Sequence, residues 1–139
     1  MAHRSALVAV SRAQLAAGLA GLAVALRRRR NYDVVFMRGG PDRVARDSLW
    51  FGTAYSAPAY MLALQAWATA RLAKGPDDGA RRVLGLLGAV MVPGYLAERY
   101  GRQHLRRGGF DPVETPVVAA GLGLAAAMAV LGHRDQAGR

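Results

Sequence analysis

The longest uncharged stretch of the chain reads SLWFGTAYSAPAYMLALQAWATA and covers residues 48–70. Its 23 residues exceed the roughly 20 that an α-helix needs to cross about 30 Å of hydrocarbon. Trp50 and Trp67 are separated by about 25 Å along such a helix, so one indole reaches each membrane interface. The stretch therefore predicts a transmembrane helix over residues 48–70.

A second apolar run covers residues 115–133 and carries no formal charge when His133 is neutral. Glu114 precedes this run, and an acidic side chain is favourable at a helix start. Pro116 follows near the first helical position, where proline is common because its missing N–H would be unpaired there anyway. These signals predict a second transmembrane helix over residues 115–133.

Two further runs reach membrane-spanning length only with help from their charged side chains. Arg12 interrupts residues 5–26 near the start, within snorkelling distance of the interface. Residues 80–100 become long enough when the flanking arginines and tyrosines occupy the head-group level. A cleaved signal peptide is the alternative for residues 5–26, but the four arginines of residues 27–30 favour retention as a stop-transfer signal.

Together these four runs predict an all-α membrane protein with four transmembrane helices in a small antiparallel bundle with short loops. The chain is then one integral membrane domain over residues 1–139. The absence of cysteine excludes disulfides, thiolate nucleophiles and cysteine-based metal sites. The three histidines lack metal-ligand spacing, so neither a metal nor a cofactor is predicted.

Lysine and arginine set the predicted orientation of the chain in the membrane. The loops over residues 27–47 and 98–114 hold eleven of them, and the opposite side holds eight. Because basic loops stay in the cytoplasm, we expect both loops inside and both termini outside. The use of arginine over lysine, with abundant alanine and glycine, is typical of a high-GC bacterial gene, so we expect a multi-pass protein of the bacterial plasma membrane.

The net charge of +10 is typical of nucleic-acid binding in a soluble protein. Here the basic residues flank the apolar runs, and a soluble chain of this length would have to bury all four runs in its own core. The sequence therefore predicts membrane lipids as partners, with a protein partner or a second copy of the chain as further possibilities, and no nucleic acid.

Chemistry-bearing residues gather near the end of the third predicted helix. Glu98 and His104 are the candidate proton carriers, and Tyr95 adds a phenol beside them. Arg99 and Arg102 are candidates for holding an anionic head group. A structural alternative is an interfacial helix end in which Glu98 and Arg102, four residues apart, form a salt bridge.

Two more candidate ligand-binding residues lie inside the span over residues 48–70. Tyr60 and Gln65 place a phenol and an amide at a depth where polar atoms need partners. They are suited to bind the polar head of a hydrophobic ligand, or else to hydrogen-bond neighbouring helices.

Three functions are compatible with these features. The first is a non-catalytic scaffold, accessory subunit or lipid-interacting module in the membrane. The second is a small membrane enzyme that acts on a lipid-like substrate at the cytoplasmic interface, with Glu98 or His104 moving the proton. The third is an oligomeric small-molecule transporter. The sequence favours the first.

Overall fold

The computed structural model describes residues 2–34, 37–53 and 55–134, the side chain of Tyr100 excepted. In this part of the chain six α-helices and one short hairpin form most of the structure. The helices are α1 (Ala2–Arg28), α2 (Val44–Trp50), α3 (Ala59–Lys74), α4 (Asp78–Ala97), α5 (Arg99–Leu105) and α6 (Glu114–His133). Strands β1 (Asp33–Val34) and β2 (Met37–Arg38) pair antiparallel, and the 3₁₀ turn Pro41–Arg43 leads into α2.

Three of the described helices, α1, α4 and α6, are long and apolar enough to cross a membrane. Large apolar side chains lie on their outer faces, where Leu19, Leu86 and Val130 are all more than half exposed. Because a soluble protein seldom exposes apolar side chains along several helices at once, this surface is typical of contact with lipid.

The second predicted span, residues 48–70, is not one helix. Helix α2 ends at Trp50 and α3 begins only at Ala59, so the prediction of a single helix is wrong here. Gly52 adopts φ +84°, and the Thr53 N–H then donates to the Ser56 carbonyl at 3.0 Å, which turns the chain back on itself. Helix α3 alone has 16 residues and is about 24 Å long.

The third predicted span, residues 80–100, also divides. Helix α4 continues through Pro93 but ends at Ala97, and Glu98 is extended with φ −72° and ψ 123°. Helix α5 begins at the next residue, so Glu98 sits at a junction rather than inside a helix. The spans predicted over residues 5–26 and 115–133 each lie within one helix, α1 and α6.

The ends of the long helices meet in two groups. Arg28, Tyr55 and His104 all contact Glu114, which brings together the end of α1, the segment before α3, helix α5 and the start of α6. We call this the arginine-rich end, because the four arginines of residues 27–30 lie there. At the opposite end Arg81 Nη1 donates to the Gly132 carbonyl at 2.6 Å. Helices adjacent in the bundle therefore run in opposite directions.

Small residues bring α4 and α6 into close contact. A Cβ placed on Gly88 would lie 2.5 Å from the Ala129 nitrogen, and one on Gly132 would lie 2.3 Å from the Gly85 Cα. Lipid gives apolar helices little reason to associate, so close backbone packing of this kind is what holds membrane helices together.

Candidate functional site

A carboxylate is enclosed at the arginine-rich end of the molecule. The Glu114 side chain accepts a hydrogen bond from the Tyr55 hydroxyl at 2.5 Å and one from Arg28 Nη1 at 2.8 Å. His104 Nε2 contacts the same oxygen as Tyr55, and Arg30 Nε lies 3.6 Å from the other oxygen. We call Glu114 and these four side chains the Glu114 cluster.

Asp111 adds a second carboxylate at the edge of the Glu114 cluster. Its Oδ1 accepts from the backbone N–H groups of Glu114 and Val113, both at 2.8 Å, and so caps the start of α6. Its Oδ2 accepts from Arg28 Nη1 at 3.1 Å. These hydrogen bonds, the two backbone ones first, lower the pKa of Asp111 to about 2.

The Glu114 cluster is closed to a substrate. Glu114 and Tyr55 are both fully buried, and the four other side chains of the cluster already surround the carboxylate. A general acid or base must reach the reacting group, and here protein atoms occupy that space. The geometry is that of a structural ion cluster that joins α1, α5 and α6.

Glu98 lies apart from the Glu114 cluster. Its two carboxylate oxygens both lie 3.0 Å from the backbone nitrogen of Asp33, so Glu98 anchors β1 against the junction of α4 and α5. His104 belongs to the Glu114 cluster instead, so the two candidate proton carriers do not form one site. Arg102, the predicted salt-bridge partner of Glu98, has its Nη1 at 3.4 Å from the Leu96 carbonyl oxygen.

An apolar cavity of about 190 Å³ lies beside Glu98. It is bounded by the start of α3, the second half of α4 and the loops that contain β1 and Thr53. Most of its wall is hydrocarbon, while Glu98, Tyr95 and Ser56 supply polar atoms. The lining residues are Tyr32, Val34, Phe51, Thr53, Ser56, Ala57, Pro58, Met61, Val90, Met91, Gly94, Tyr95 and Glu98.

Two residues explain why space remains at this position. A Cβ on Gly94 would meet no atom within 4 Å, so the missing side chain leaves the wall of α4 open. Helix α3 starts only after Pro58. The residues before Pro58 therefore do not form the helical turn that one continuous helix over residues 48–70 would place beside α4. Phe51 and Val90 line the cavity and are more than half exposed, so its mouth opens on the outer surface of the bundle.

Tyr95 connects the apolar cavity to buried amides inside the bundle. Its phenol lies near the Gln14 side chain. Gln65 Nε2 donates to Gln14 Oε1 at 2.8 Å and to the Ser11 carbonyl at 3.1 Å. Gln65 is fully buried between α1, α3 and α6, so it pairs with neighbouring helices rather than facing a ligand in the apolar cavity.

The remaining predicted residues lie on the surface. Arg99 Nη1 is 3.7 Å from Asp33 Oδ2, with more than half of its side chain exposed. Tyr60 points outward from α3, is 56% exposed and does not line the apolar cavity. Of the predicted site residues, the structure thus brings Tyr95 and Glu98 together in one recess.

The sequence identified His104 but not the partners that surround it. Glu114 was interpreted as a favourable acid at a helix start, and Tyr55 as part of a transmembrane helix. Arg28 and Glu114 are 86 residues apart, so no local pattern joins them. The available signal was topological, because an antiparallel arrangement puts the end of the first span and the start of the fourth at the same membrane face.

Comparison of the chain with protein-family models, curated proteins and solved structures finds no match. In the described part of the chain no group of three or more histidine, aspartate or glutamate side chains is placed to hold a metal ion.

Proposed function

We propose that this chain is a multi-pass membrane protein that binds a lipid-like amphiphile without chemical conversion. The observation that carries the proposal is the apolar cavity, whose mostly hydrocarbon wall includes the polar side chains of Tyr95 and Glu98. A mainly apolar recess with a few polar groups is the usual form of a site for an apolar ligand.

Connectivity supports four membrane crossings. The ends of α1 and α4 lie on the same side of the molecule, because Arg28 and His104 both contact Glu114. If α1 and α4 both cross the bilayer in that direction, the chain must return between them. Helix α3 is about 24 Å long and provides this return together with the segment that precedes it.

The volume of the apolar cavity limits what it holds. An engineered cavity of about 150 Å³ binds benzene, and the apolar cavity is somewhat larger at about 190 Å³. It accommodates one ring or a short stretch of acyl or isoprenoid chain, while the rest of the amphiphile stays in the bilayer. The Glu98 carboxylate lines the apolar cavity, and a carboxylate is an acceptor for a hydroxyl or amine donor on a ligand.

A binding role is favoured over catalysis by the arrangement of the titratable groups. The imidazole of His104 is held inside the Glu114 cluster. Glu98 already positions the Asp33 backbone. The two aliphatic hydroxyls of the described cavity wall, on Thr53 and Ser56, hydrogen-bond each other at 3.2 Å. A bound molecule therefore meets a carboxylate, phenols and hydroxyls, with no histidine or lysine base among the described lining residues.

The test is to fill the apolar cavity from Gly94. The Gly94→Leu variant places a side chain into open space in the cavity wall, so the fold should tolerate it. Gly123→Leu is the matched control, because a Cβ there also meets no atom within 4 Å and Gly123 lies outside the cavity. Protein purified from membranes should carry a co-purifying amphiphile, detected by native mass spectrometry, that Gly94→Leu loses and Gly123→Leu keeps. Equal retention by both variants would refute binding in the apolar cavity.

A further inference from the structure

A second recess, of about 260 Å³, shares Tyr32 as a lining residue with the apolar cavity. Among the described residues its wall holds one carboxylate, Asp33, and four guanidinium groups. These belong to Arg28, Arg29, Arg30 and Arg38. We call this recess the arginine pocket.

The four arginines are engaged to different degrees. Arg28 and Arg30 face Glu114 in the interior. Arg29 has an ion-pair distance of 3.8 Å to Asp42, and Arg38 one of 3.7 Å to Asp33. Both distances exceed the 2.7–3.2 Å of a good N–H···O hydrogen bond. The guanidinium donors of Arg29 and Arg38 are therefore the ones best able to turn to an incoming anion.

The backbone of Arg29 is in the left-handed conformation, which is unfavourable for a residue with a Cβ. Arg29 has φ 53°, and the next residue, Arg30, donates its N–H to the Ala25 carbonyl at 2.8 Å. This pattern ends many helices, and its left-handed residue is usually glycine because a Cβ is unfavourable there. Arginine is therefore less favourable than glycine at position 29.

The wall of the arginine pocket is held in place before any ligand arrives. Asn31 Nδ2 donates to the Gly40 carbonyl at 2.7 Å and to Asp47 Oδ2 at 2.8 Å. The Gly39 N–H donates to the Tyr32 carbonyl at 2.8 Å, which closes the hairpin of β1 and β2. Preorganisation of this kind lowers the entropy lost on binding.

We propose that the arginine pocket binds the phosphate group of an anionic membrane phospholipid. Guanidinium groups recognise phosphate oxygens with paired hydrogen bonds, and the described wall of the pocket holds four of them against one carboxylate. The pocket lies at the arginine-rich end, where lipid head groups meet a membrane-embedded bundle. The assignment rests on the membrane location proposed above but not on occupancy of the apolar cavity.

The experiment measures lipid binding to the full-length protein in detergent by native mass spectrometry, with phosphatidylglycerol and phosphatidylcholine as probes. We expect the parent protein to prefer phosphatidylglycerol by about tenfold, since each base near an anionic lipid contributes substantially to binding. Arg29→Gln combined with Arg38→Gln should abolish this preference. Arg106→Gln combined with Arg107→Gln removes the same charge from exposed residues at the same end and should preserve it.

Two further variants test whether lipid binding depends on the arginine pocket itself. Arg29→Gly relieves the left-handed strain, so it should keep or raise the melting temperature while it weakens phosphatidylglycerol binding. Gly94→Leu should leave the preference intact, which separates the arginine pocket from the apolar cavity. Equal losses in the two double variants would overturn the assignment in favour of diffuse surface charge. Displacement of the lipid by millimolar inorganic phosphate would overturn it in favour of a free-phosphate site.

Discussion

His104 holds an acceptor against each of its ring nitrogens: Nε2 contacts the Glu114 carboxylate, and Nδ1 lies 2.8 Å from the Gly109 carbonyl oxygen. A carbonyl oxygen can only accept, so Nδ1 carries a proton. The contact between Nε2 and Glu114 then needs a second proton, either on the imidazole or on the carboxylate. Arg28 Nη1 at 2.8 Å and Arg30 Nε at 3.6 Å also face the Glu114 carboxylate, so the contact with His104 is one of several that hold it in place.

Glu114→Gln should destabilise the protein more than Glu98→Gln. The first change leaves the cations of the Glu114 cluster without their buried anion, and breaking a buried ion pair costs about 3 kcal/mol. A glutamine at position 98 can still accept from the Asp33 N–H, so that loss should be about 1 kcal/mol. Thermal unfolding in detergent measures both, with an expected drop of roughly 10 °C for Glu114→Gln.

A double-mutant cycle tests whether the loss comes from the ion cluster. Arg28→Ala and Glu114→Gln remove the same contact, so the double variant should be less destabilised than the sum of the two single changes. Arg99→Ala is the control, because Arg99 pairs with Asp33 and not with Glu114. Strict additivity of Arg28→Ala with Glu114→Gln would contradict the cluster.

Asp111 should make the stability of the protein depend on pH in the acid range. Hydrogen bonds from the start of α6 and from Arg28 lower its pKa from 3.8 to about 2 in the folded state. Because the folded-state pKa is depressed, the stabilisation is complete above pH 3.8 and is lost as the pH falls towards 2. The Asp111→Asn variant keeps an oxygen that can accept the hydrogen bonds from the start of α6. Its side chain does not ionise, so it contributes no pH dependence.

The measurement is the difference in melting temperature between the parent and Asp111→Asn, followed from neutral pH downwards. Other carboxylates titrate in both proteins and cancel in this difference. We expect it to be constant above about pH 4 and to shrink below that. A difference that stays constant down to the acid limit would show that Asp111 is not held ionised by these hydrogen bonds.

The sequence predicted the helical composition and the spans over residues 5–26 and 115–133, because charge and apolar length are local properties. It failed over residues 48–70 because Gly52 and Pro58 stop a helix through backbone geometry, which an uncharged window does not register. The break is also what creates the apolar cavity. A hydropathy count along the sequence therefore does not detect the helix break or the apolar cavity on which the proposed function rests.

For the site, the sequence grouped Glu98 with His104 because they are six positions apart. In the structure Glu98 contacts Asp33 and His104 contacts Glu114, so neighbours along the chain face different partners. The end of α4 at Ala97 separates them, because the extended backbone of Glu98 reorients α5 relative to α4. Partners distant in sequence become visible only once the antiparallel arrangement of helices is known.

Cysteine labelling should place the arginine-rich end in the cytoplasm. The chain contains no cysteine, so a single introduced thiol reports one position. Gly40 and Gly75 are suitable, because a Cβ at either meets no atom closer than 3.9 Å. In intact cells an impermeant reagent should modify Gly75→Cys and spare Gly40→Cys, and permeabilised cells should show both reactive. The reverse pattern would overturn the predicted orientation.

Gly88→Ala should separate α4 from α6. The new methyl group would lie 2.5 Å from the Ala129 nitrogen and 2.6 Å from the Ala125 carbonyl oxygen, and both are backbone atoms that cannot rotate away. One helix must therefore move, with an expected loss of about 2 kcal/mol. Gly123→Ala is the matched control, since its Cβ meets nothing within 4 Å and alanine favours the helix. Thermal unfolding in detergent should show a lower melting temperature for Gly88→Ala and an unchanged or higher one for Gly123→Ala. If the two variants melt together, direct packing of Gly88 against α6 does not stabilise the bundle.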